Sequence, residues 1–183
     1  DGKIELHARI NDMEIFKQKL ILDRTISCEY GKNILTISDT VRNVGSADEP
    51  LLLLYHMNIG YPLLSERAKL TVSSERVIPR DDRAAEDLDT WNQMLAPIPN
   101  FQEQCYYHEF EKNAPCAKIW NGDAGVGLAI RWDKAQFPYM TEWKMMGERD
   151  YVLGLEPCTN KLEGRANLRR EGALQFIKPG ETR

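Results

Sequence analysis

Apolar and polar positions alternate along much of this chain with a period of two, the spacing of strands that bury one face. In Leu35-Thr36-Ile37-Ser38-Asp39-Thr40-Val41-Arg42 the alternation is interrupted only by Asp39, which stands on the apolar face. Val126-Gly127-Leu128-Ala129-Ile130-Arg131-Trp132 alternates in the same way, with small residues on its second face. Further strands are expected at 13–22, 24–30, 51–59, 68–78, 103–110, 115–120, 139–145, 151–156 and 172–178. Turn residues separate many of them: Tyr30-Gly31-Lys32-Asn33, Asn43-Val44-Gly45-Ser46, Asn121-Gly122-Asp123 and Pro179-Gly180. One stretch, 81–95, reads as helical, with Asp81-Asp82 as its cap and Pro97-Ile98-Pro99-Asn100 as an extended loop that ends it. About ten strands with a single helical interruption predict an all-β fold, a sandwich or a large antiparallel sheet. A helical bundle and a doubly wound parallel sheet are excluded by the same pattern.

Composition narrows the class. The chain has 183 residues, 42% hydrophobic and 28% charged, with a net charge of −4. These values are ordinary for one soluble globular domain with a sizeable core. Mixed charges along the length argue against a nucleic-acid footprint and against an anionic membrane surface. The longest aliphatic run, Leu51-Leu52-Leu53-Leu54, is far short of the roughly 20 residues a membrane helix needs. The first residues carry no signal-like apolar stretch and do not begin with Met, as expected for a processed or truncated piece of something longer. Cys28, Cys105, Cys116 and Cys158 lie far apart with no Cys-x-x-Cys pair, which reads as buried, reduced thiols in a cytoplasmic protein.

Three polar islands interrupt the apolar strands. His56 and Asn58 sit two apart in Leu51–Pro62, so they share a face of what should be a central strand buried on both sides. A buried imidazole and carboxamide need partners, so that face looks either into a polar pocket or onto a satisfied core histidine site. Glu156 ends the short apolar strand Tyr151-Val152-Leu153-Gly154-Leu155, where a carboxylate must be paired, or face a cleft or the rim. His7 and Arg9 share a face in Leu6-His7-Ala8-Arg9-Ile10, and a basic pair so near a terminus is usually solvated. Trp120 and Trp132 read as core. His108, in a polar-aromatic strand, is assigned no role.

These segments, in this order, resemble the galactose-mutarotase-like superfamily, the aldose 1-epimerases, and most of all its uncharacterised bacterial branch that includes deoxyribose-mutarotase-like proteins. The resemblance rests on Leu-His-Ala-Arg-Ile (6–10), Leu-Tyr-His-Met-Asn-Ile-Gly-Tyr-Pro-Leu-Leu (54–64), Glu-Trp-Lys-Met-Met-Gly (142–147), Tyr-Val-Leu-Gly-Leu-Glu-Pro (151–157) and Pro-Gly-Glu-Thr (179–182). It spans nearly the whole chain and implies a large antiparallel β-sandwich, the supersandwich, here as one domain over 1–183. It also implies His56 as general acid, Glu156 as general base and His7 as a second, sugar-binding histidine. Ala8 stands where relatives usually have glycine. By the same resemblance the chain starts after the family's N-terminal strands and stops before its last strand. An arginine the family uses for the sugar generally lies in that outer portion.

The implied activity is an isomerase that interconverts the α and β anomers of a small-molecule sugar by opening the ring. A base takes the anomeric hydroxyl proton while an acid protonates the ring oxygen. Reference pKa values of about 4.3 and 6.5 suit a Glu/His pair to this, without cofactor or metal. Arg9, Asn58, Glu103, Trp143 and Lys144 are further candidates for contacting the sugar, Trp143 and Lys144 following a strand that should reach the same cleft. Two other readings stay open: a non-catalytic carbohydrate-binding sandwich, and a metal-dependent β-barrel enzyme with His7, His56 and Glu156 as ligands.

Overall fold

The structure, a computed structural model, describes residues 2–183. The described chain groups into two compact units: the residues up to Leu51 together with Leu174–Arg183, and Leu52–Ala173.

In the first unit β1 (Lys3–Met13), β2 (Lys19–Glu29) and β3 (Leu35–Asn43) form an antiparallel meander. The short β4 (Glu49–Pro50) pairs with Phe176–Ile177. Cross-strand register explains the one break in the β3 pattern. Arg24 of β2 lies opposite Asp39, and its guanidinium donates to both carboxylate oxygens at 2.8 and 2.6 Å, so the acid is only 4% exposed. Val41, Leu51 and Ile177 form the unit's small core, with Leu20 and Leu22 packed against it. The turn expected at 43–46 is organised by the fully buried Asn43. Its Nδ2 donates to the carbonyls of Ala47 and Ile177 at 2.8 and 2.9 Å, and its Oδ1 accepts from the Gly45 N–H at 2.8 Å.

The second unit is a two-layer sandwich. Its strands are β5 (Met57–Ile59), β6 (Lys69–Val72), β7 (Arg76–Pro79), β8 (Gln104–Glu109), β9 (Cys116–Asn121), β10 (Val126–Arg131), β11 (Tyr139–Met146) and β12 (Tyr151–Cys158). A five-stranded sheet runs β5-β12-β11-β8-β7 and a three-stranded sheet runs β10-β9-β6. Leu70, Ile119 and Ile130 of the smaller sheet join Met140, Met146, Leu153 and Leu155 of the larger in one apolar core. This is the all-β, antiparallel sandwich the alternation predicts. Helix α1 (Asp82–Glu86) continues into a 3-10 turn at Leu88–Thr90, and the Asp81 carboxylate accepts from the Ala84 N–H at 3.0 Å as its cap. No helix among the described residues is long and apolar enough to cross a membrane.

Several expectations need correction. The leucine run is not a central strand: only Met57–Ile59 pairs regularly, as the edge strand of the larger sheet. The run is where the chain passes from one unit to the other, so its side chains meet different surroundings, Leu51 buried and Leu52 37% exposed. Stretch 68–78 is two strands, β6 and β7, belonging to different sheets. Ser73, Ser74 and Glu75 separate them; the Ser73 hydroxyl accepts from the Cys116 N–H and that of Ser74 meets His108 Nδ1. Stretch 13–22 covers the end of β1, the turn after it and the start of β2. A second helix, α2 (Arg165–Arg170), was not expected. Trp120 is 51% exposed and lies over Gly127 on the solvent side of the smaller sheet.

Lys144 is the main correction. Successive strand residues face opposite sides, so Lys144 cannot accompany Trp143 into one cleft. It lies on the core side of β11, buried, with its ammonium donating to the carbonyls of Trp91 and Gln93 at 2.9 Å each. Burial pulls this ammonium below its ordinary pKa. Beside it Glu142 and His108 are wholly buried and meet at 3.1 Å.

Because Asn43 saturates three backbone groups at once, Asn43→Ala is expected to lower the unfolding free energy by about 1–3 kcal/mol. Urea titration followed by circular dichroism measures this; an unchanged midpoint contradicts the role given to the side chain.

Candidate active site

The site is built on the face of the larger sheet that looks away from Lys144. Residues directly opposite across an antiparallel pair share a face, as do residues two apart along a strand. One row across this face is Asn58, Gly154, Trp143, Cys105. The next is Glu156, Thr141, Tyr107, Ile78. The β5–β12 register also persists beyond the regular strand, through the Tyr55 N–H to Pro157 carbonyl bond and the Leu54–Cys158 bridge. It therefore sets His56 across from Glu156. The side chains meet, with His56 Nε2 3.2 Å from Glu156 Oε1.

The two partners live in different solvents. Glu156 is 2% exposed and His56 50% exposed by side chain. Burial pushes the Glu156 carboxyl up to about 7, and the charge of a protonated His56 works the other way, favouring the carboxylate. His56 Nδ1 lies 2.9 Å from Asn58 Oδ1. An amide oxygen only accepts, so Nδ1 carries its hydrogen and Nε2 is left for the carboxyl. The two groups stand at contact distance without hydrogen-bond alignment, and Glu156 Oε1 is a buried oxygen with no hydrogen-bond partner among the described residues. A carboxyl that burial pushes up to about 7 thus faces the Nε2 of a half-exposed imidazole.

A second chain of contacts frames His56. Its ring meets Trp143 edge-on, with centroids 5.4 Å apart and planes at 75°. The Trp143 indole N–H donates to Glu103 Oε2 at 2.7 Å, and Glu103 Oε1 accepts from Arg80 Nη2 at 3.0 Å. Arg80 also donates to Asp81 Oδ2 and to Cys105 Sγ, each at 2.9 Å. The Arg80 guanidinium, then the Trp143 N–H, hold the Glu103 carboxyl below its usual range. Burial pushes the Cys105 thiol up to about 12, so it is a neutral thiol at physiological pH.

Of the residues singled out in the sequence, His56, Glu156, Asn58, Trp143 and Glu103 are brought together here. Lys144 is on the opposite face. His7 and Arg9 belong to the first unit, both exposed on β1: His7 Nδ1 lies 3.1 Å from Thr25 Oγ1, and Arg9 is bidentate on Asp23 at 2.5 and 3.0 Å. Arg80 and Cys105 were not anticipated, since neither stands in a motif or breaks a pattern. Among the described residues no group of three or more His, Cys, Asp and Glu side chains is placed to hold a metal ion.

The family described as Domain of unknown function (DUF4432) matches across residues 1–183. Among solved structures, a Klebsiella pneumoniae protein assigned provisionally to the aldose 1-epimerases superposes with a TM-score of 0.91 at 24% identity, covering 98% of this chain and 48% of that one. A galactose mutarotase-like protein from Clostridium acetobutylicum gives 0.62 at 15% identity, covering 99% and 60%. Another from Lactobacillus casei gives 0.54 at 14% identity, covering 100% and 67%. This chain thus spans about half the length of the Klebsiella protein. No curated protein matches it. Likeness at such identities is likeness of fold. On these matches the chain belongs to the DUF4432 family, and its fold is that of the galactose-mutarotase-like sandwiches.

Proposed function

We propose that this chain carries the acid–base centre of an aldose 1-epimerase-like isomerase, which exchanges the α and β anomers of an unmodified sugar. The observation that carries the reading is the 3.2 Å pair of His56 Nε2 and Glu156 Oε1, a buried base beside a half-exposed acid. Both oxygens that exchange protons in this reaction are bonded to the anomeric carbon. The donor and acceptor must therefore sit side by side, as these two do.

With Glu156 ionised and His56 protonated, the carboxylate takes the proton of the anomeric hydroxyl. The carbon–oxygen bond there becomes a carbonyl, and the bond from the anomeric carbon to the ring oxygen breaks. Its electron pair stays on the ring oxygen, which takes the Nε2 proton. The open-chain aldehyde turns, and the same steps reversed close the ring on its other face. Both side chains return to their starting states. Asn58 keeps Nδ1 protonated throughout, so Nε2 does the exchanging. Trp143 offers an aromatic surface beside the imidazole, and Glu103 an acceptor for sugar hydroxyls. One arginine set against two carboxylates, Glu103 and Asp81, leaves this rim without surplus positive charge, which favours a neutral sugar over a phosphorylated one. His7 and Arg9 remain proposed sugar contacts on the strength of the family resemblance. All four cysteines are free thiols, which suits the reducing cytoplasm in which we place the reaction.

Glu156→Gln keeps the side chain's shape and removes the base. It is expected to slow anomer exchange of D-galactose or D-glucose, followed by saturation-transfer NMR, by about 10²–10⁴-fold with an unchanged circular dichroism spectrum. Wild-type exchange in the variant contradicts the assignment. Sugar-dependent thermal stabilisation with no exchange in the wild-type protein identifies a binding module instead. A stability measurement tests the same carboxyl separately. Since its pKa is raised from 4.5 to about 7 on folding, the stability it contributes is full at pH values below 4.5 and is lost as pH rises through about 7. A neutral Gln has no such loss. Relative to wild type, Glu156→Gln is therefore expected to gain up to about 3 kcal/mol between mildly acid and mildly alkaline pH, read from urea midpoints; a pH-independent difference contradicts it.

A further inference from the structure

The carboxylate of Glu156 occupies space that belongs, by the geometry of a strand, to the side chain of residue 154. Residues 154 and 156 point to the same face of β12, and residue 154 is Gly. A Cβ built there collides with Glu156 Oε1 and stands 3.2 Å from both the Glu156 Cδ and the Trp143 Cβ. The Glu156 side chain thus folds back along its own strand and lies over the bare glycine. Gly154 is central to the site in the other direction too. Its cross-strand neighbours are Asn58, which holds His56 Nδ1, and Trp143, whose ring meets the imidazole.

Glycine inside a strand is ordinarily a liability, because it has no side chain to pack. Backbone conformation does not require it here, since Gly154 is not among the residues with positive φ. Nor does the position face open space, as Gly60 does. What glycine supplies at 154 is room for a carboxylate.

We propose that Gly154 is a positioning residue: the absence of a side chain there lets the Glu156 carboxylate lie against the sheet, buried and within reach of His56 Nε2. The inference rests on the acid–base reading of the site for its catalytic consequence, though not for its geometric one. Any side chain at 154 turns the carboxylate outward into water, away from the imidazole. The base then loses both the burial that raises its pKa and the partner beside it.

Gly154→Ala is the direct test, with Gly60→Ala as control, because a Cβ at residue 60 meets nothing within 4 Å. Two readouts are needed. The first is the titration of the Glu156 carboxyl carbon by NMR, which requires no substrate. Gly154→Ala is expected to move its midpoint down toward the ordinary carboxylate range, with Gly60→Ala unchanged. The second is D-galactose anomer exchange. In Gly154→Ala kcat is expected to fall about tenfold or more while KM changes little, and the acid limb of the pH profile moves to lower pH. A purely structural role for the glycine would not shift that limb. An unmoved carboxyl midpoint overturns the proposal. If the midpoint moves but the wild-type protein exchanges no anomers, the functional reading fails and the positioning role stands. Should Gly154→Ala not fold, adding Glu156→Ala is expected to restore folding, because the clash is with that side chain. Failure of that rescue also overturns the proposal.

Discussion

A carboxyl group only 2% exposed, held 3.2 Å from an imidazole that is half in water, is the arrangement on which the rest of this account depends. Burial alone would keep the acid protonated and inert as a base. A cationic neighbour alone, in water, would keep it ionised and weak. Set together, the two effects oppose each other and leave the Glu156 carboxyl titrating at about 7, where small changes in its surroundings decide where the proton sits. A group poised in this way can both take and return a proton, which reversible ring opening demands.

The sheet supplies the poise by register. Residue 56 faces residue 156 because the edge segment keeps step with β12 beyond the point where regular pairing ends, through the bonds at Tyr55 and Leu54. One chain of contacts runs around this pair. Asn58 fixes the imidazole, Trp143 borders it, Glu103 fixes Trp143, and Arg80 fixes Glu103. The core side of the same sheet also carries charge, but it is closed: His108 meets Glu142, and Lys144 is spent on two carbonyls of the segment that follows α1. Two polar clusters therefore share one sheet. Only the cluster with a solvent-facing member is suited to a diffusing substrate.

Much of this was legible from residue pattern. Period-two alternation identified the sandwich, and Asp39 was visible as an intruder on an apolar face, although its partner Arg24 needed the β2–β3 register to be seen. His56, Asn58 and Glu156 stood out as polar residues in apolar strands. Their meeting, across a hundred residues of chain, came from the family resemblance and not from spacing. The strand pattern also puts Lys144 on the face opposite Trp143, because adjacent residues of a strand cannot both face one cleft. The leucine run misled for a different reason: hydrophobicity alone does not fix burial, and of this run only Leu51 joins a core, while Leu52 is 37% exposed. Arg80 and Cys105 gave no signal, since each is a single residue brought in by the turn before α1 or by β8. Gly154 was visible only as one letter of a motif; its meaning appeared once the neighbouring carboxylate was seen lying over it.

A crystal structure of the Glu156→Gln protein soaked with D-galactose bears most directly on the central claim. The expected result is a sugar seated on the open face of the five-stranded sheet, its anomeric hydroxyl within hydrogen-bond distance of residue 156 and its ring oxygen within reach of His56 Nε2. A sugar bound with its anomeric carbon turned away from both side chains, or bound on another surface, would contradict it.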